Sequence, residues 1–445
     1  MAKGSTQPTS KIRVGVLGLG VVGQGVAEIL ARNRDLIRER TGLDFEIIRA
    51  LVNNPKSKRS GAARKIAVVT DAAKILEADD IDIVVEMIGG IEPARSYVLR
   101  ALTAGKPVVT ANKAILAAHG PEILQAAQKA KSDIYFEATV AGGVPIIRTL
   151  REALASDAIM AVRGILNGTT NFILGRMETG EPFAEALAQA QKLGFAEADP
   201  ARDIDGRDAA DKLAILTLLA FGRSVKPEQI ETVGIENLTP ECLQDARELG
   251  YRAKLVGISQ RIPSQSGERI DVRVHPVFLP EHHVLSSVPE AQNAIAVDSQ
   301  ALGTTLYQGA GAGGLPTGTA VVADLVDAGR NLKANIHGRI VTTHWQNAPR
   351  LLPAKQAVSA YYLRLLVADQ PGVVAGLGGI FARLKISLAT VLQRERANIV
   401  GDKVALILIT HPTTHGSMVR AVQAIKKGKF LRGALNVVRI EGEES

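Results

Sequence analysis

The sequence of 445 residues predicts an α/β protein with a doubly wound parallel sheet, an α+β domain and a small C-terminal βαββαβ unit. Three observations predict this order. A glycine-rich turn joins an apolar strand to a helix near the N-terminus, and strand and helix patterns alternate after it. A second group of alternating strand and helix patterns follows at the C-terminal end, from residue 361 to residue 440. We expect a flexible tail at 1–10, domains at 11–139, 140–315 and 358–445, a linker at 346–357, and a helix at about 316–345 that returns to the first domain.

The first element carries a nucleotide-binding pattern. The apolar run from Lys11 to Leu17 predicts a buried strand, and a helix follows from Gln24 to about Arg40. Between them the chain reads Gly18-Leu19-Gly20-Val21-Val22-Gly23, a G-x-G-x-x-G turn in the strand–turn–helix setting of a Rossmann-type domain. The glycines permit a tight turn and let backbone approach a pyrophosphate at the positive end of the helix. The pattern predicts a dinucleotide site, with these cofactor-binding residues: Gly18, Gly20, Val21, Val22 and Gly23.

The end of the second strand, Phe45 to Val52, favours NADP(H), with NAD(H) as the alternative. An acid at this point would bind a ribose 2′-hydroxyl, but the chain continues with Asn53-Asn54-Pro55 and no carboxylate. Lys56, Lys58 and Arg59 follow at once and would suit a 2′-phosphate. Asn53 could still bond a free hydroxyl.

The alternation continues to the end of the chain. In the first domain we expect strands at 81–87, 107–110 and 134–137, and helices at 93–104 and from 122. The second domain should contain extended stretches at 270–279 and 294–301, then a glycine run at 309–314 that is either a ligand-facing turn or a flexible linker, then a helix to about 327. The last unit should have strands at 361–367, 387–394, 403–410 and 437–440, and helices at 373–384 and 414–426, which is a ferredoxin-like arrangement.

The segment from Glu197 to Lys212 contains six carboxylates and ends on a lysine that opens an apolar helix. A helix that starts near Gly206 would bury its leucines and place Asp208 and Lys212 one turn apart. Such an ammonium can give a proton to a developing alkoxide, and a nearby carboxylate can orient a cationic amino group of a substrate. The alternative is a surface helix start with an ordinary ion pair.

Composition excludes several classes of protein. The densest apolar run, Leu213 to Phe221, is too short to cross a membrane, and the N-terminus lacks the apolar region of a signal peptide, so we expect a cytoplasmic protein. Cys242 is the single cysteine, which excludes an internal disulfide. Of the net charge of +8, +6 lies after residue 360, scattered and without a nucleic-acid-binding signature, so we expect no nucleic acid or membrane partner.

Several motifs together resemble the homoserine dehydrogenase family with a C-terminal ACT domain. Besides the glycine turn they are Thr110-Ala111-Asn112-Lys113, Asn167-Gly168-Thr169-Thr170-Asn171, Gly194-Phe195-Ala196-Glu197-Ala198-Asp199-Pro200, Asp208 with Lys212, and Gly311-Ala312-Gly313. The resemblance implies NAD(P)H-dependent reduction of L-aspartate 4-semialdehyde to L-homoserine, on the route to threonine, isoleucine and methionine. It implies a catalytic and dimerisation role for 140–315.

The resemblance also implies roles for residues. Lys212 would be the proton donor, Lys113 would lie between nicotinamide and substrate, and Asp208 with Glu197 would bind the substrate's amino group or order water. The remaining expected site residues are Gly194, Asp203 and Thr169 for substrate, Gly89, Asn112 and Gly311 for cofactor, and Glu137, Val140, Gly142 and Val144 for a monovalent cation, Na⁺ or K⁺. A hinge turn without a metal is the alternative for the last set.

For the C-terminal domain the resemblance implies an amino-acid sensor, and L-threonine is the first ligand to test. The turn at Asp369, Gln370 and Gly372 would present backbone groups to a carboxylate. ACT units usually pair, so we expect a homodimer or homotetramer. The chain departs from the family at Asn53-Asn54, where many members have Arg-Asp.

Three other functions fit parts of the sequence: another two-domain dehydrogenase of an amino-acid type, a thiol-dependent aldehyde dehydrogenase and a non-catalytic metabolite sensor. The thiol type is disfavoured because Cys242 has no His or Asn motif beside it.

Overall fold

The computed structural model of the chain describes residues 11–264, 267–339, 348–394 and 403–442. The predicted tail at 1–10, the end of the helix predicted at about 316–345 and the start of the predicted linker lie outside the described residues. Helices lie at Val21–Arg32 (α1), Arg34–Thr41 (α2), Ala73–Leu76 (α3), Ala94–Thr103 (α4), Lys113–Ala130 (α5), Ile146–Arg148 (α6), Gly168–Met177 (α7), Phe183–Lys192 (α8), Ala201–Ile204 (α9), Arg207–Phe221 (α10), Pro240–Glu248 (α11), Gly314–Lys333 (α12), Val373–Arg383 (α13) and His415–Lys426 (α14).

Strands lie at Lys11–Leu17 (β1), Asp44–Leu51 (β2), Ala67–Val69 (β3), Ile83–Glu86 (β4), Val108–Thr110 (β5), Ile134–Tyr135 (β6), Ile159–Ile165 (β7), Glu231–Thr232 (β8), Tyr251–Ile262 (β9), Arg269–Pro280 (β10), Gln292–Ser299 (β11), Gly303–Ala310 (β12), Arg350–Leu351 (β13), Val358–Ala368 (β14), Leu388–Arg394 (β15), Lys403–Thr410 (β16), Thr413–Thr414 (β17) and Leu431–Ile440 (β18). Contacts divide the chain into two compact units. The first comprises Met1–Ile159, Asp211–Gln229 and Tyr307–Ala348, and the second comprises Met160–Ala210, Ile230–Leu306 and Pro349–Ser445.

The first unit contains a six-stranded parallel sheet in the order β3-β2-β1-β4-β5-β6. The order reverses between β1 and β4, and ligands of such sheets bind at the carboxyl ends of the strands near that point. Apolar residues of β1, β4, α1 and α12 form one buried core. The predicted Rossmann-type fold is confirmed.

Helix α12 returns to this unit late in the chain and packs closely on α1. A Cβ added to Gly25 in α1 would lie 2.0 Å from the carbonyl oxygen of Gly314, and one added to Gly318 would lie 3.1 Å from Gly25. The two backbones therefore touch where neither helix carries a side chain. Two hydrogen bonds extend the contact with the end of the sheet: Glu137 N donates to Asp324 Oδ2 (2.8 Å), and Asn331 Nδ2 donates to the hydroxyl of Tyr135 (2.8 Å).

The second unit is built on a mixed sheet. Strand β10 pairs along its whole length with β9, and its other edge pairs in succession with β13, β8 and β18. The C-terminal part continues the same sheet in the order β18-β14-β16-β15, with α13 and α14 packed on it around a core of its own. This is the βαββαβ topology expected of a ferredoxin-like unit.

The structure differs from the sequence prediction at several element ends. The helix predicted from Gln24 to Arg40 is two helices, because Asn33 adopts a non-helical conformation, and the first of them begins at Val21. Helix α5 begins at Lys113 and not at Glu122, because the side chain of Asn112 caps it. The strand predicted through Glu137 ends at Tyr135. Strands β7, β9 and β12 lie where no strand was predicted.

The contact between α1 and α12 leads to a stability prediction. Gly25→Ala should lower the free energy of unfolding by about 1–3 kcal/mol, because the new methyl group overlaps the backbone of Gly314. Gly175→Ala in α7 is the matched control, since its Cβ would meet nothing within 4 Å; it should stabilise the chain slightly. Urea unfolding measures both. An unchanged midpoint for Gly25→Ala would show that the helices are not held at this separation.

Candidate active site

The glycine turn of the first unit has the geometry that a pyrophosphate requires. Gly18 has φ +97°, and a Cβ there would lie 2.7 Å from the carbonyl oxygen of Met87. A Cβ on Gly23 would lie 2.7 Å from the carbonyl oxygen of Gly18, whereas one on Gly20 would meet nothing within 4 Å. Gly18 and Gly23 are thus required by packing, and Gly20 leaves open space at the N-terminus of α1. Val21 and Val22 supply first-turn N–H groups there, so the turn fits a dinucleotide phosphate.

The loop after β2 is held by its own hydrogen bonds. The guanidinium of Arg59 donates to the carbonyl oxygens of Pro55 and Asn54 (both 3.0 Å), and Ser60 donates to Gln24 Oε1 in α1. Asn53, Lys56 and Lys58 are exposed. Of the three cations expected to meet a 2′-phosphate, Arg59 therefore shapes the loop, and the two lysines lie on its surface.

A buried polar network connects the ends of β4 and β5. Glu86, fully buried, accepts hydrogen bonds from Thr110 Oγ1 (2.6 Å) and Ile88 N (2.8 Å). Asn112 Nδ2 donates to the carbonyl oxygen of Gly90 (2.8 Å) and contacts Glu86 Oε1 at 3.4 Å, while its Oδ1 caps α5. Burial raises the pKa of Glu86. The network fixes the first residue of α5, the half-buried Lys113, at the carboxyl edge of the sheet.

Sequence reasoning missed Glu86, although a signal was present. It is a carboxylate at the end of an otherwise apolar strand, and a buried acid in such a place needs specific partners. Gly89, which was expected to bind cofactor, lies within this network, between Ile88 and Gly90. It has φ +81°, and a Cβ there would meet nothing within 4 Å.

The two glycine-rich segments of the first unit pack against each other. A Cβ on Gly142, at φ +52°, would lie 2.6 Å from the carbonyl oxygen of Gly311, and Gly143 N donates to the carbonyl oxygen of Ala310 (3.0 Å). The run at 309–314 is therefore the end of β12 and the start of α12, not a flexible linker. Gly311 is in backbone contact with the loop that carries the expected cation site.

Glu137 has hydrogen-bond partners within that expected cation site. Its carboxylate oxygens accept from Ile147 N and Arg148 N, both at 2.8 Å, and so cap the short helix α6. The carbonyl oxygen of Val144 accepts from Ile146 N. Val140 and Val144 are buried. The described residues contain no group of three or more His, Cys, Asp or Glu side chains arranged around a metal.

In the second unit, Asn167 gathers the acid-rich segment. Its Oδ1 caps α7 through Thr170 N (2.9 Å), and its Nδ2 donates to Asp203 Oδ1 (2.7 Å) and Asp208 Oδ2 (2.9 Å). One amide thus orients two carboxylates that were expected at the substrate. Asn167 begins the motif Asn167-Gly168-Thr169-Thr170-Asn171. In the sequence, only its position before a helical run indicated that its side chain would form hydrogen bonds at a helix start.

The loop at 194–199 is attached to the same helix. Thr169 Oγ1 donates to the carbonyl oxygen of Phe195 (2.6 Å). Gly194, at φ +77°, and Glu197 are exposed on this loop. The structure therefore brings Thr169, Asp203 and Asp208 close to Asn167, and it holds the loop with Glu197 beside them.

Helix α10 carries both residues of the predicted acid–ammonium pair. Asp208 lies in its first turn and Lys212 one turn later, and both are buried. Leu213 and Leu216 are fully buried as predicted, while Leu219 is half-buried. The buried charge of Lys212 argues against an ordinary surface pair, because a buried charge is costly unless it is compensated.

Comparison with known proteins decides the family. A family model described as homoserine dehydrogenase matches residues 145–326, and one described as its NAD-binding domain matches 18–137. A homoserine dehydrogenase of Corynebacterium glutamicum is 40% identical over 98% of this chain and 96% of its own length. The chain belongs to the homoserine dehydrogenase family. A crystal structure of a homoserine dehydrogenase from Thiobacillus denitrificans agrees at a TM-score of 0.91, with 42% identity over 98% of this chain and 99% of that chain.

A more distant member, a hyperthermophilic archaeal homoserine dehydrogenase solved in complex with NADPH, agrees at a TM-score of 0.59, with 27% identity over 73% of this chain and 98% of that chain. Membership confirms the resemblance to homoserine dehydrogenase seen in the sequence, and the two family models match residues 18–137 and 145–326. The chain is an NAD(P)-dependent oxidoreductase that acts on a CH–OH group, and homoserine dehydrogenase chemistry implies homoserine and its aldehyde as the reactant pair.

Cys242 is excluded as a nucleophile of this homoserine dehydrogenase. It is fully buried in α11, and burial raises the pKa of its thiol to about 12. A nucleophilic cysteine needs an accessible thiolate.

Among the described residues, no helix combines the length and apolar character that membrane crossing requires.

Proposed function

We propose that Lys212 is the proton donor when this enzyme reduces L-aspartate 4-semialdehyde to L-homoserine. The observation that carries the proposal is a buried ammonium one helical turn from Asp208, whose carboxylate is oriented by Asn167. As the aldehyde carbon is reduced, its oxygen gains negative charge, and an ammonium lowers the energy of that charge and transfers a proton to it. Lys212 then becomes an amine, and the product is the alcohol.

Binding of the substrate is assigned to the second unit. Asp203 and Asp208 share the amide of Asn167, and their negative charges suit the substrate's α-amino group. Glu197 is exposed on a loop that Thr169 holds, so it is available to the same group or to an ordered water. In this proposal Gly194 gives the loop its left-handed turn.

The nucleotide is assigned to the first unit, where the nicotinamide supplies the hydride when bound. Gly18, Gly20 and Gly23 form the phosphate turn, and Gly89 and Asn112 follow at the next strand ends. Lys113 begins α5 beside the Glu86 network, which holds its backbone in place. We assign to Lys113 a position between nicotinamide and substrate, as the family resemblance implies.

NADP(H) is the proposed preferred cofactor. The chain lacks a carboxylate after β2, and the exposed Lys56 and Lys58 offer positive charge to a 2′-phosphate. The NADPH complex of the archaeal homoserine dehydrogenase supports this choice for a relative. Asn53 is assigned to the ribose.

A monovalent cation fits the loop at 137–144 only in part. Both oxygens of Glu137 and the carbonyl oxygen of Val144 already accept backbone hydrogen bonds. The proposed ligands are therefore first the carbonyl oxygens of Val140 and Gly142, and Glu137 and Val144 would bind the ion through their remaining lone pairs. Oxygen ligands of this kind suit Na⁺ or K⁺, and no catalytic step is assigned to the ion.

We assign the C-terminal unit the role of an L-threonine sensor within a homodimer or homotetramer. Gly372 has φ +91° and precedes α13, and a Cβ there would meet nothing within 4 Å. The turn formed by Asp369, Gln370 and Gly372 thus leaves open space at a helix N-terminus. ACT units bind such ligands where two copies meet, so binding would bias the catalytic part through the shared sheet.

The proton-donor role predicts a loss of turnover. Lys212→Ala should lower kcat about 10²- to 10⁴-fold with little change in NADPH binding, because the ammonium acts mainly in the transition state. Lys226→Ala removes an exposed lysine of the same stretch and should behave as wild type. NADPH oxidation with aspartate semialdehyde gives kcat, and circular dichroism checks the fold. Near wild-type turnover in Lys212→Ala would exclude the role.

The proposed preference for NADP(H) predicts a change in the ratio of kcat/KM for NADPH to kcat/KM for NADH. Replacing Lys56 and Lys58 together by alanine should lower kcat/KM for NADPH several-fold relative to that for NADH, since only NADPH carries the phosphate. Lys74 and Lys129, both exposed in the first unit, give a control with the same loss of charge. If kcat/KM fell equally for NADPH and NADH, Lys56 and Lys58 would not contact the 2′-phosphate and would contribute only general surface charge.

The sensor role predicts loss of inhibition without loss of activity. Gly372→Asp adds charge and bulk at the open turn and should abolish inhibition by millimolar L-threonine in the full chain. Gly250→Asp is the matched control, because Gly250 also has positive φ and open space around a Cβ. Inhibition curves in the presence of substrate measure the effect. If threonine leaves the wild-type rate unchanged, the unit senses another ligand or serves assembly.

A further inference from the structure

One side chain of α1 links the two places where phosphate groups of the cofactor are proposed to bind. Gln24 lies one turn into this helix, where its backbone N–H donates to the carbonyl oxygen of Gly20 (2.9 Å). Its side-chain Oε1 accepts two hydrogen bonds from Ser60, one from the backbone N–H (2.9 Å) and one from the hydroxyl (3.0 Å). Ser60 follows closely after Lys58, so these bonds hold the end of the loop that carries the proposed 2′-phosphate lysines.

The other hydrogen bonds of the loop at 53–60 join residues that are close in sequence. The guanidinium of Arg59, for example, donates to the carbonyl oxygens of Asn54 and Pro55 (both 3.0 Å). Such bonds give the loop a shape, but they do not fix where that shape lies relative to the rest of the unit. In the part of the chain that the structure describes, the side-chain hydrogen bonds that lead from this loop to a distant element are those to Gln24.

A second contact with α1 lies just beyond the loop. Ala62 N donates to Glu28 Oε2 (3.3 Å), and Glu28 lies one turn after Gln24 on the same face of the helix. Gly61 has φ +49°, and a Cβ there would overlap the carboxylate of Glu28. The chain at 60–62 therefore lies directly against α1, and Gln24 and Glu28 are its two points of attachment.

The amide nitrogen of Gln24 faces the glycine turn. Its Nε2 is 3.5 Å from the carbonyl oxygen of Leu19, at the outer limit for a hydrogen bond. The turn is proposed to bind the diphosphate and the loop the 2′-phosphate, and one ribose carries both groups. A loop that is already held beside the turn can bind the second group without first having to be ordered, and this ordering would otherwise weaken binding.

We propose that Gln24 is a positioning residue for NADP(H), which acts by holding the loop at 53–60 beside the glycine turn. The inference rests on the proposed role of Lys56 and Lys58 and adds the residue that sets where these lysines lie. Gln24 thereby contributes to the preference for NADP(H) over NAD(H). When the loop is released, only the fraction of molecules with the loop in place gives NADPH its full set of contacts, and the apparent Kd rises by the inverse of that fraction.

Fluorescence titration of the full-length chain with NADPH and with NADH tests the proposal without turnover. Gln24→Met keeps the length of the side chain and removes the acceptor of both Ser60 bonds. It should raise the Kd for NADPH about three- to ten-fold and change the Kd for NADH less than about two-fold. In steady-state assays, KM for NADPH should rise while kcat stays close to the wild-type value. Gln125→Met, which replaces an exposed glutamine of α5 in the same unit, should change neither Kd.

A rise in Kd of equal size for the two dinucleotides would show that Gln24 serves only the glycine turn or the fold. No rise for NADPH would show that the loop keeps its place without the Ser60 bonds. Either result would overturn the proposal.

A double-mutant cycle separates the role of Gln24 from that of the lysines. In a chain where Lys56 and Lys58 are both alanine, Gln24→Met should raise the Kd for NADPH far less, because the loop then has no lysine to position. If the lysine pair alone leaves NADPH binding unchanged, the proposed 2′-phosphate site is wrong and the positioning role falls with it. If the lysine pair weakens NADPH binding but Gln24→Met acts equally in both backgrounds, the site stands and only the positioning role is wrong.

Discussion

The close approach of α1 and α12 is the contact on which the first unit depends. The chain leaves this unit after Ile159, returns to it at Asp211–Gln229 and enters it again at Tyr307 in β12. Helix α12 must therefore find its place beside α1, which precedes it by some three hundred residues. Glycines on both helices make the approach possible, and the apolar face of α12 completes the core of the parallel sheet. Any side chain at Gly25 would separate the helices. Helix α1, which has the nucleotide turn at its N-terminus, therefore also fixes the returning helix.

That contact brings a buried carboxylate to the end of the sheet. Asp324 of α12 accepts from Glu137 N, and burial, reinforced by the nearby Glu137 carboxylate, raises its pKa to about 8. Glu86 has a raised pKa for the same main reason, and it organises Thr110 and Asn112. Carboxylates with several hydrogen-bond donors are rigid positioning groups. In this unit they set the backbone on which the proposed cofactor and cation residues lie.

Prediction from sequence succeeded where a pattern is local. The glycine turn, the strand before it and the alternation after it specify the parallel sheet, and strand β16 has the predicted bounds. The predicted starts of α1 and α5 were too late in the chain. The first helix begins at Val21, directly after Gly20 in an extended conformation, and the fifth begins at Lys113, where the side chain of Asn112 caps it. Strands β7, β9 and β12 escaped notice since polar residues interrupt them. The hydrogen-bond partners of Glu86 and Asn167 could not be predicted, because Asn112 and Asp203 are distant from them in sequence.

The continuity of the second sheet changes how the C-terminal unit should be understood. Its sequence suggests a separate module after a linker, with a core of its own, and that core is present. Yet β18 pairs with β10, the buried Arg364 binds Asp245 of α11 at 2.7 Å, and Arg273 of β10 binds Glu441. A buried arginine that loses its carboxylate is strongly destabilising. These contacts join the C-terminal unit to the neighbouring strand and helix of the second unit, and removing the C-terminal unit would break them. Because β14, β18 and β10 belong to one sheet, a ligand that shifted β14 or β18 would act directly on β10.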